Sequence, residues 1–428
     1  MTLNETFKLA VKNHQENKIE MAVDLYREVL EIDPNYEDAH SNLGVIFQNS
    51  NDFEKAKDCY KKAIVINPNN TNTQSNLGVA FKKLREYQKA KNCFEKSLKI
   101  DPNNLIANFN LGVLLQELGE YQKAKDCYEK AIELNPNSAG AYNNLGAIFL
   151  ELGNNQKAKE CYEKSVKINP SFVNPQWNLH SVASSIDEAI SILNKIYKVD
   201  STHIESKIMV SALKAYKGNL KEFNNLLTSS YSKHPYIRSI KWIFSLHKLP
   251  RIFFNKSSFF NAVIALSESS RPFYEFGVWK GVSFQYLINT FKKGFGFDTF
   301  VGLPEAWHHE IKGSYSNFGN VPKIDGGEFI VGKFEDTLPN FFSKERPTAS
   351  VINFDADLYS STLCALNYSH RVVDDKTILI FDEFIMNNKW EEDEYKALNE
   401  FCENSGFSYE VVAFSFYTKQ VAIKLKKS

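Results

Sequence analysis

Four carboxylic acids follow two apolar runs in the second half of the sequence, and their spacing could bind a cation. They are Asp355 and Asp357 after the run VINF, and Asp382 and Glu383 after the run TILIF. The intervening residues are long enough for a crossover helix, so we expect two adjacent, buried parallel strands. Ligands of open α/β sheets bind beyond the carboxyl ends of strands, and acids meeting there repel one another unless a cation or proton compensates. We therefore predict a site for a hard metal ion; solvated strand ends and helix caps are the alternative.

A strand, a tight turn and a helix precede these acids and could hold a nucleotide-like ligand. In FYEFGVWKGVSFQYLINTFKK the apolar strand ends in Glu275 and Gly277, and Gly281 precedes the helix. Glycine lets a cofactor approach the backbone, and the N terminus of a helix can face a polar or anionic group. Asp298 ends the next short strand, where an acid can accept the two hydroxyls of a ribose.

Five sequence blocks occur in order between residues 270 and 425: EFGVWKG, FDTFVGLPE, GKFEDTLP, FDADLYSST and IFDEF. Together they resemble the macrocin O-methyltransferase family, whose members use S-adenosylmethionine to methylate sugar hydroxyls. The resemblance implies a Rossmann-like class I methyltransferase fold, with a mostly parallel seven-stranded sheet and an antiparallel last strand. Tyr409–Phe414 and Gln420–Leu425 fit its closing hairpin.

The resemblance also implies roles for individual residues. It assigns S-adenosylmethionine to Glu275 and Gly277, beside Gly281, and its ribose to Asp298; it assigns Mg²⁺ to Asp355, Asp382 and Glu383, with Asp357 as the general base. A divalent ion on vicinal hydroxyls lowers their pKa, and a carboxylate removes the proton during transfer. All-oxygen ligation suits Mg²⁺ better than zinc. The family usually has two consecutive aspartates where this chain has Asp382 and Glu383, so the third ligand has a longer arm.

The segment AWHHEIKGSYSNFG after the second strand has few helix or strand signals, and we expect it to form a lid over the acceptor. It contains Trp307, His308, His309, Tyr315 and Phe318. Aromatic faces stack on sugar rings, and either histidine could assist the catalytic base. A loop that packs its own aromatic side chains is the alternative.

Helical repeats with a period of 34 residues precede this region. Leu-Gly pairs, alanines and prolines recur at that interval, as in Leu43-Gly44, Leu77-Gly78, Leu111-Gly112 and Leu145-Gly146. They resemble the tetratricopeptide repeat, whose small residues let two antiparallel helices approach and whose proline closes the second helix. Cys59, Cys93, Cys127 and Cys161 share the period, which predicts small apolar slots rather than zinc or disulfide sites.

One asparagine precedes the leucine of each repeat, and the set could form a binding row. Its members are Asn42, Asn76, Asn110, Asn144 and Asn178. Such arrays bind partners along the concave face built by their first helices, and amides can pair with the backbone of an extended peptide. The row resembles the asparagine ladder of O-linked N-acetylglucosamine transferases. The alternative is that asparagine is simply common at this repeat position.

The chain of 428 residues is too long for one ordinary domain. We predict an α + α/β architecture: a tetratricopeptide α-solenoid over 1–235, a linker or docking helix over 236–258 and a methyltransferase domain over 259–428. Lys+Arg and Asp+Glu both number 51, so nothing argues for nucleic acid as the main partner. The first residues lack the apolar segment of a signal peptide and no stretch approaches a membrane span, so we expect a cytoplasmic protein.

The leading interpretation is an S-adenosylmethionine- and Mg²⁺-dependent O-methyltransferase that acts on a sugar or glycan hydroxyl. The tetratricopeptide array would recruit a protein or peptide partner. The alternatives are a catalytically inactive scaffold, and an enzyme whose acceptor is a protein or a small phenol. A glycosyltransferase is less consistent with the Gly277 turn and Asp298.

Overall fold

The computed structural model describes residues 1–427, which form two compact units. The first unit comprises Met1–Pro175 and the second begins at Gln176. No helix within the described residues is both long enough and apolar enough to cross a membrane.

The first unit is a succession of paired helices of nearly equal length. They are α1 (Leu3–Gln15), α2 (Ile19–Ile32), α3 (Glu37–Asn49), α4 (Phe53–Ile66), α5 (Thr71–Lys83), α6 (Tyr87–Ile100), α7 (Leu105–Glu117), α8 (Tyr121–Leu134), α9 (Ala139–Glu151) and α10 (Asn155–Ile168). Side chains cap several of them: Thr2 and Glu5 form a capping box at α1, and Asn104 accepts the backbone N–H of Ala107 at α7. The predicted helical array is confirmed.

A glycine and an aromatic ring join the two helices of each repeat. A Cβ atom at Gly112 would lie 2.8 Å from the Tyr128 ring, so a larger residue would force the helices apart. The same arrangement recurs at Gly44 with Tyr60, Gly78 with Phe94 and Gly146 with Tyr162. The four periodic cysteines lie in or against the array's apolar core and are free thiols, which confirms their structural role.

The second unit combines helices with one sheet. Its helices are most of α11 (Val173–Ser181), then α12 (Ile186–Val199), α13 (Ile204–Tyr216), α14 (Lys221–Leu227), α15 (Pro235–Ser245), α16 (Lys256–Ala265), α17 (Val282–Phe291), α18 (Phe334–Phe341), α19 (Tyr359–Ser369) and α20 (Glu394–Ser405). Its strands are β1 (Arg251–Phe253), β2 (Phe273–Phe276), β3 (Gly294–Asp298), β4 (Gly327–Val331), β5 (Val351–Phe354), β6 (Ile378–Phe381), β7 (Phe407–Ser415) and β8 (Val421–Lys427).

The strand order in this sheet is β1-β7-β8-β6-β5-β2-β3-β4. Strand β8 is antiparallel to both of its neighbours, and all other neighbouring strands are parallel. The sheet is therefore mixed. The two apolar runs are the adjacent parallel strands β5 and β6, as predicted. Within the described residues there are eight strands, one more than predicted, because the short edge strand β1 pairs with β7.

Helices before residue 235 pack with the sheet, so the second unit starts earlier than the sequence predicts. The Tyr417 hydroxyl donates to Asn178 Oδ1 at 3.1 Å, and Asn255 Nδ2 donates to the Ser181 carbonyl at 2.9 Å. These contacts join residues far apart in the chain. They tie α11 to the loops around the sheet, and repeat periodicity cannot reveal them.

Helix α15 occupies the first part of the predicted linker, to Ser245, and packs against residues that follow β6. Trp242 contacts Phe384, Trp390 and Tyr395, with ring centroids 5.5 to 5.9 Å apart. The Arg238 guanidinium also forms an ion pair with Glu391. The segment is thus a docked helix rather than a flexible tether.

Candidate functional site

Four phenylalanines lie side by side near the carboxyl ends of four neighbouring parallel strands. Phe297, Phe276, Phe354 and Phe381 are register partners on β3, β2, β5 and β6. Neighbouring rings stack with centroids 4.8 to 5.4 Å apart. The residues that follow them in the chain are Asp298, Gly277, Asp355 and Asp382. These four residues therefore share one edge of the sheet, which we call the polar edge.

Gly277 allows the loops after β2 and β5 to touch. Its φ is +88°, and a Cβ atom there would lie 1.8 Å from the carbonyl oxygen of Asp355. Only glycine combines this backbone conformation with so close an approach. Gly281, with φ +76°, then caps the N terminus of α17. The predicted turn lies at the polar edge.

Asp298 stabilises this turn through its carboxylate. Oδ2 accepts the backbone N–H groups of Val278 at 2.8 Å and Trp279 at 2.7 Å, and Oδ1 accepts that of Phe300 at 2.7 Å. A carboxylate offers about four acceptor positions, so Asp298 keeps capacity for one further donor. The residue predicted to bind a ribose thus also organises the loop.

Glu275 is fully buried below the polar edge. Its Oε1 accepts the Ser283 hydroxyl at 2.9 Å, while Oε2 has no hydrogen-bond partner among the described residues. Burial, and secondarily the charge of Asp355, raises the pKa of Glu275 to about 8. The carboxyl group is therefore mostly neutral at neutral pH.

Asp355 and Asp357 are half-buried at the centre of the polar edge. Burial, followed by repulsion from Asp382, raises the pKa of Asp355 to about 8. Burial and then repulsion from Asp355 raise the pKa of Asp357 well above its ordinary value. Asp357 also has φ +60°, an uncommon conformation for a residue with a side chain.

Glu394 adds an acid that the sequence analysis missed. It begins α20 and is fully buried, and neither carboxylate oxygen has a partner among the described residues. Burial and then the charge of Asp357 raise its pKa well above the ordinary value. In the sequence WEEDEYKA it looks like a solvated acidic run. Its spacing of four and seven residues from the buried Leu398 and Phe401 is the signal that could have revealed it.

Two predicted metal ligands accept hydrogen bonds from the β7–β8 turn. Lys419 Nζ donates to both oxygens of Glu383, at 3.1 and 2.9 Å. Gln420 Nε2 donates to Asp382 Oδ1, and Lys256 Nζ lies 3.8 Å from the same oxygen. Protein groups therefore satisfy part of the coordination capacity that a metal ion would use.

The predicted Mg²⁺ site does not fit this arrangement. Among residues 1–427, no group of three or more His, Cys, Asp or Glu side chains is placed to hold a metal ion. Asp355, Asp382 and Glu383 share the polar edge, but Glu383 and Asp382 are bound by Lys419 and Gln420. The physical reason is that the hairpin turn supplies its own donors to these carboxylates.

One end of the predicted lid is anchored beside the acids. His308 Nε2 and Asp393 Oδ2 share a hydrogen bond of 2.8 Å, and Trp307 Nε1 donates to Asp393 Oδ1 at 3.4 Å. Asp393 is buried and immediately precedes Glu394. His308 is therefore oriented by a carboxylate, as a histidine base commonly is.

The other predicted lid residues are placed differently. The His309 side chain is 86% exposed and pairs with Glu310 at 3.3 Å, so it is not brought to the acids. Phe318 is 61% exposed. Tyr315 contacts the Trp279 ring edge-on at 6.3 Å, and burial followed by the charge of Asp357 raises its pKa. Tyr315 and Trp279 thus form an aromatic pair near the acids.

The asparagine row lies on the first helices of the repeats. Its first four members are half-buried on α3, α5, α7 and α9: Asn42, Asn76, Asn110 and Asn144. Asn110 Nδ2 donates to the Ile106 carbonyl at 2.9 Å, and Asn144 Nδ2 donates to the Tyr128 hydroxyl at 3.3 Å. Asn178 belongs to the second unit and accepts the Tyr417 hydroxyl. The first unit therefore carries four of the five.

Family models described as "Tetratricopeptide repeat" match residues 37–70, 70–137 and 103–171, and one described as "TPR repeat" matches residues 13–51. No significant match was found among curated proteins.

Solved structures with similarity to the chain include three proteins, each matched over half of this chain or less. A crystal structure of MamA is 24% identical, covers 38% of this chain and 94% of its own, and has a TM-score of 0.35. PilF of Pseudomonas aeruginosa is 20% identical, with coverages of 50% and 97% and a TM-score of 0.44. YrrB, titled a TPR protein with an unusual peptide-binding site, is 20% identical, with coverages of 45% and 97% and a TM-score of 0.37. The matches to the family models identify residues 13–171 as an array of tetratricopeptide repeats, a module for protein–protein interaction.

Proposed function

We propose that the second unit is an S-adenosylmethionine-dependent O-methyltransferase for a sugar or glycan hydroxyl, and that the repeat array recruits a protein or peptide partner. The polar edge carries this proposal, because it joins the Gly277 turn, Asp298 and the central acids at one level. The strand order gives further support. Strands β2 to β8 form a mostly parallel set of seven strands whose last strand is antiparallel, as the resemblance to macrocin O-methyltransferases implies.

The methyl donor would lie over the Gly277 turn. S-adenosylmethionine would supply a methyl group on a cationic sulfur. Gly277 gives the turn its left-handed backbone and its close packing against the Asp355 carbonyl. Asp298 can accept one more hydroxyl, and Glu275 Oε2 has no hydrogen-bond partner among the described residues. These groups support adenosyl binding without a further cofactor.

Asp357 is the proposed general base. A sugar hydroxyl is a weak acid and attacks a methyl group efficiently only as its proton leaves. The raised pKa of Asp357 makes its carboxylate a strong proton acceptor once ionised. His308, which Asp393 orients, would assist this base.

Aromatic side chains beside the acids support a sugar acceptor. Trp279 and Tyr315 contact each other, and Trp307 lies against His308 with ring centroids 4.9 Å apart. Aromatic faces bind the apolar faces of sugar rings. A protein or small phenol remains the alternative acceptor.

A catalytically inactive scaffold is the second candidate. The observation that favours it is the engagement of Glu383 and Asp382 by Lys419 and Gln420, since a site neutralised by its own chain can lose catalysis. Its interaction function would rest on the tetratricopeptide array.

Calorimetry and methyl transfer separate the two candidates. We expect the full chain and its Asp357→Asn variant to bind S-adenosylmethionine equally, because Asp357 is proposed to act on the acceptor. Transfer of labelled methyl to a panel of glycosides should be lost in Asp357→Asn. It should be retained in Asp336→Asn, an exposed acid on α18. Absence of donor binding by the full chain would favour the scaffold, and full transfer by Asp357→Asn would exclude Asp357 as the base.

A further inference from the structure

The β7–β8 turn is built to present Lys419 and Gln420 to the polar edge. Ser415 N donates to the Gln420 carbonyl at 2.9 Å, and the Thr418 hydroxyl donates to Gln420 Oε1 at 2.9 Å. Lys419 has φ +61°, and Gln420 is fully buried. A non-glycine residue in this conformation costs free energy, so the surrounding turn must hold it there.

The Lys419 ammonium group occupies the place of a cation at Glu383. It lies within 3.1 Å of both carboxylate oxygens, in a half-buried pair. A second ammonium, from Lys256 at the start of α16, lies 3.8 Å from Asp382 Oδ1. Two lysines from distant parts of the sequence therefore face the two consecutive acids after β6.

We propose that Lys419, rather than a divalent metal ion, is the cation of this site and that the site works without added metal. A divalent ion beside the ammonium group would be repelled, and Glu383 would have to release Lys419 before binding it. Lys419 is thus a positioning residue that fixes Glu383. The catalytic consequence rests on the proposed methyltransferase function, but the ion pairing does not.

This arrangement also defines the acceptor more closely. In the metal-dependent reaction that the resemblance implies, a divalent ion would bind two neighbouring hydroxyls. A site whose cation is a lysine requires no chelation, so an acceptor with a single free hydroxyl beside an apolar sugar face is sufficient.

Manganese binding tests the proposal without any methyl acceptor. Free Mn²⁺ would be measured by electron paramagnetic resonance during titration of the chelator-treated full chain. We expect no saturable binding by the wild type. We expect Lys419→Met to bind Mn²⁺ at least about tenfold more tightly, because the variant removes a positive charge and frees both oxygens of Glu383.

Lys426→Met is the matched control, since Lys426 pairs with Glu410 at 2.8 Å in the same hairpin. Lys426→Met and Lys419→Arg should bind Mn²⁺ as weakly as the wild type. If Lys419→Met does not fold, Lys419→Gln is titrated in its place, because glutamine keeps a hydrogen-bond donor at the turn. Saturable Mn²⁺ binding by the wild type that Asp355→Asn abolishes would overturn the proposal, as would the absence of any gain in a folded Lys419→Met or Lys419→Gln variant.

Calorimetry with S-adenosylmethionine in the presence of EDTA distinguishes this proposal from the proposed function. Binding of S-adenosylmethionine in EDTA that does not increase when Mg²⁺ is added supports both the methyltransferase function and Lys419 as the cation of the site. If S-adenosylmethionine binds neither in EDTA nor after Mg²⁺ is added, the methyltransferase proposal is rejected. The Mn²⁺ titrations still decide the role of Lys419.

Discussion

The two units of the molecule each contain a row of polar side chains, and the rows are built by different means. In the array, the asparagines from Asn42 to Asn144 recur at one repeat position on successive first helices. At the polar edge, Asp298 is the last residue of β3, and Asp355 and Asp382 directly follow β5 and β6. The array repeats one local arrangement, whereas the edge joins residues that only the sheet brings together.

This difference has an electrostatic consequence. The asparagines are neutral, and two of them donate hydrogen bonds within the array. The acids instead raise one another's pKa values, and lysines from other segments offset part of their charge. Such mutual repulsion is common where a site performs chemistry, while a row of neutral amides suits recognition of a backbone.

The largest expected change in stability comes from the backbone turn at Gly277, which supports the acids of the polar edge. Gly277→Ala should destabilise the second unit by at least about 4 kcal/mol, because the new Cβ would overlap the Asp355 carbonyl oxygen and both loops would have to move. Urea unfolding followed by tryptophan fluorescence measures this change. All five tryptophans lie beyond residue 175, so the signal reports on the second unit.

Gly406→Ala is the control for backbone conformation alone. Gly406 has φ +72° and no heavy atom within 4 Å of the added Cβ, so the substitution should cost only about 1 to 2 kcal/mol. Equal costs for the two variants would show that the contact between the loops does not constrain the polar edge.

A smaller effect is expected from the pH dependence of stability. The pKa of Glu275 rises from 4.5 to about 8 on folding, so the folded state holds its proton more tightly than the unfolded state. The resulting stabilisation is complete below the unfolded pKa and is lost as pH rises toward the folded pKa. Between about pH 5 and pH 8 the unfolding free energy should therefore fall by about 3 kcal/mol through Glu275.

Glu275→Gln should flatten this dependence, as measured by urea unfolding at several pH values. Asp355 has a pKa raised in the same direction and contributes a residual slope. Glu268→Gln, at an exposed ion pair with Lys376, should leave the slope almost unchanged. A wild-type unfolding free energy that rises across this range would contradict the assignment of neutral buried acids.

The smallest effect on stability is expected in the asparagine row. Replacing Asn76, Asn110 and Asn144 by alanine should change the unfolding free energy of the array by only about 0.5 kcal/mol per site, because the gain in helix propensity offsets the lost hydrogen bonds. Binding of extended peptides selected on the wild-type array should nevertheless weaken strongly. Fluorescence polarisation with the labelled peptides measures this.

The control is a triple variant in which alanine replaces Asn92, Asp126 and Glu160. These residues are exposed at one repeat position on the second helices α6, α8 and α10. It should leave peptide binding unchanged. If both triple variants bind peptide like the wild type, asparagine is merely common at this repeat position.

The sequence was sufficient to predict features that depend on local or periodic patterns. The 34-residue period predicted the paired helices and their close approach at small residues such as Gly112, since each repeat meets the same neighbours. Two apolar runs ending in acids predicted the parallel pair β5 and β6. The same argument predicted that these acids would lie together at one edge of the sheet, because the carboxyl ends of parallel strands meet there.

The remaining features depend on contacts between distant segments. Lys419 lies 36 residues from Glu383 in the chain, and nothing in the local sequence TKQ marks it as the partner of an acid. Glu394 and Asp393 resemble surface residues until α20 buries them. The start of the second unit at Gln176 was also missed, because α11 retains repeat residues such as Asn178 while Tyr417 binds it to the sheet unit.

The stacked phenylalanines have a consequence for how this protein can tolerate insertions and deletions. The predicted lid lies between β3 and β4, and its length can change without shifting any strand along the sheet. Deleting one residue within β5 would instead move Asp355 by about 3.3 Å and turn its side chain to the opposite face. Length variation in the crossovers is therefore compatible with an intact polar edge, but length variation between the first residue of a central strand and its terminal phenylalanine is not.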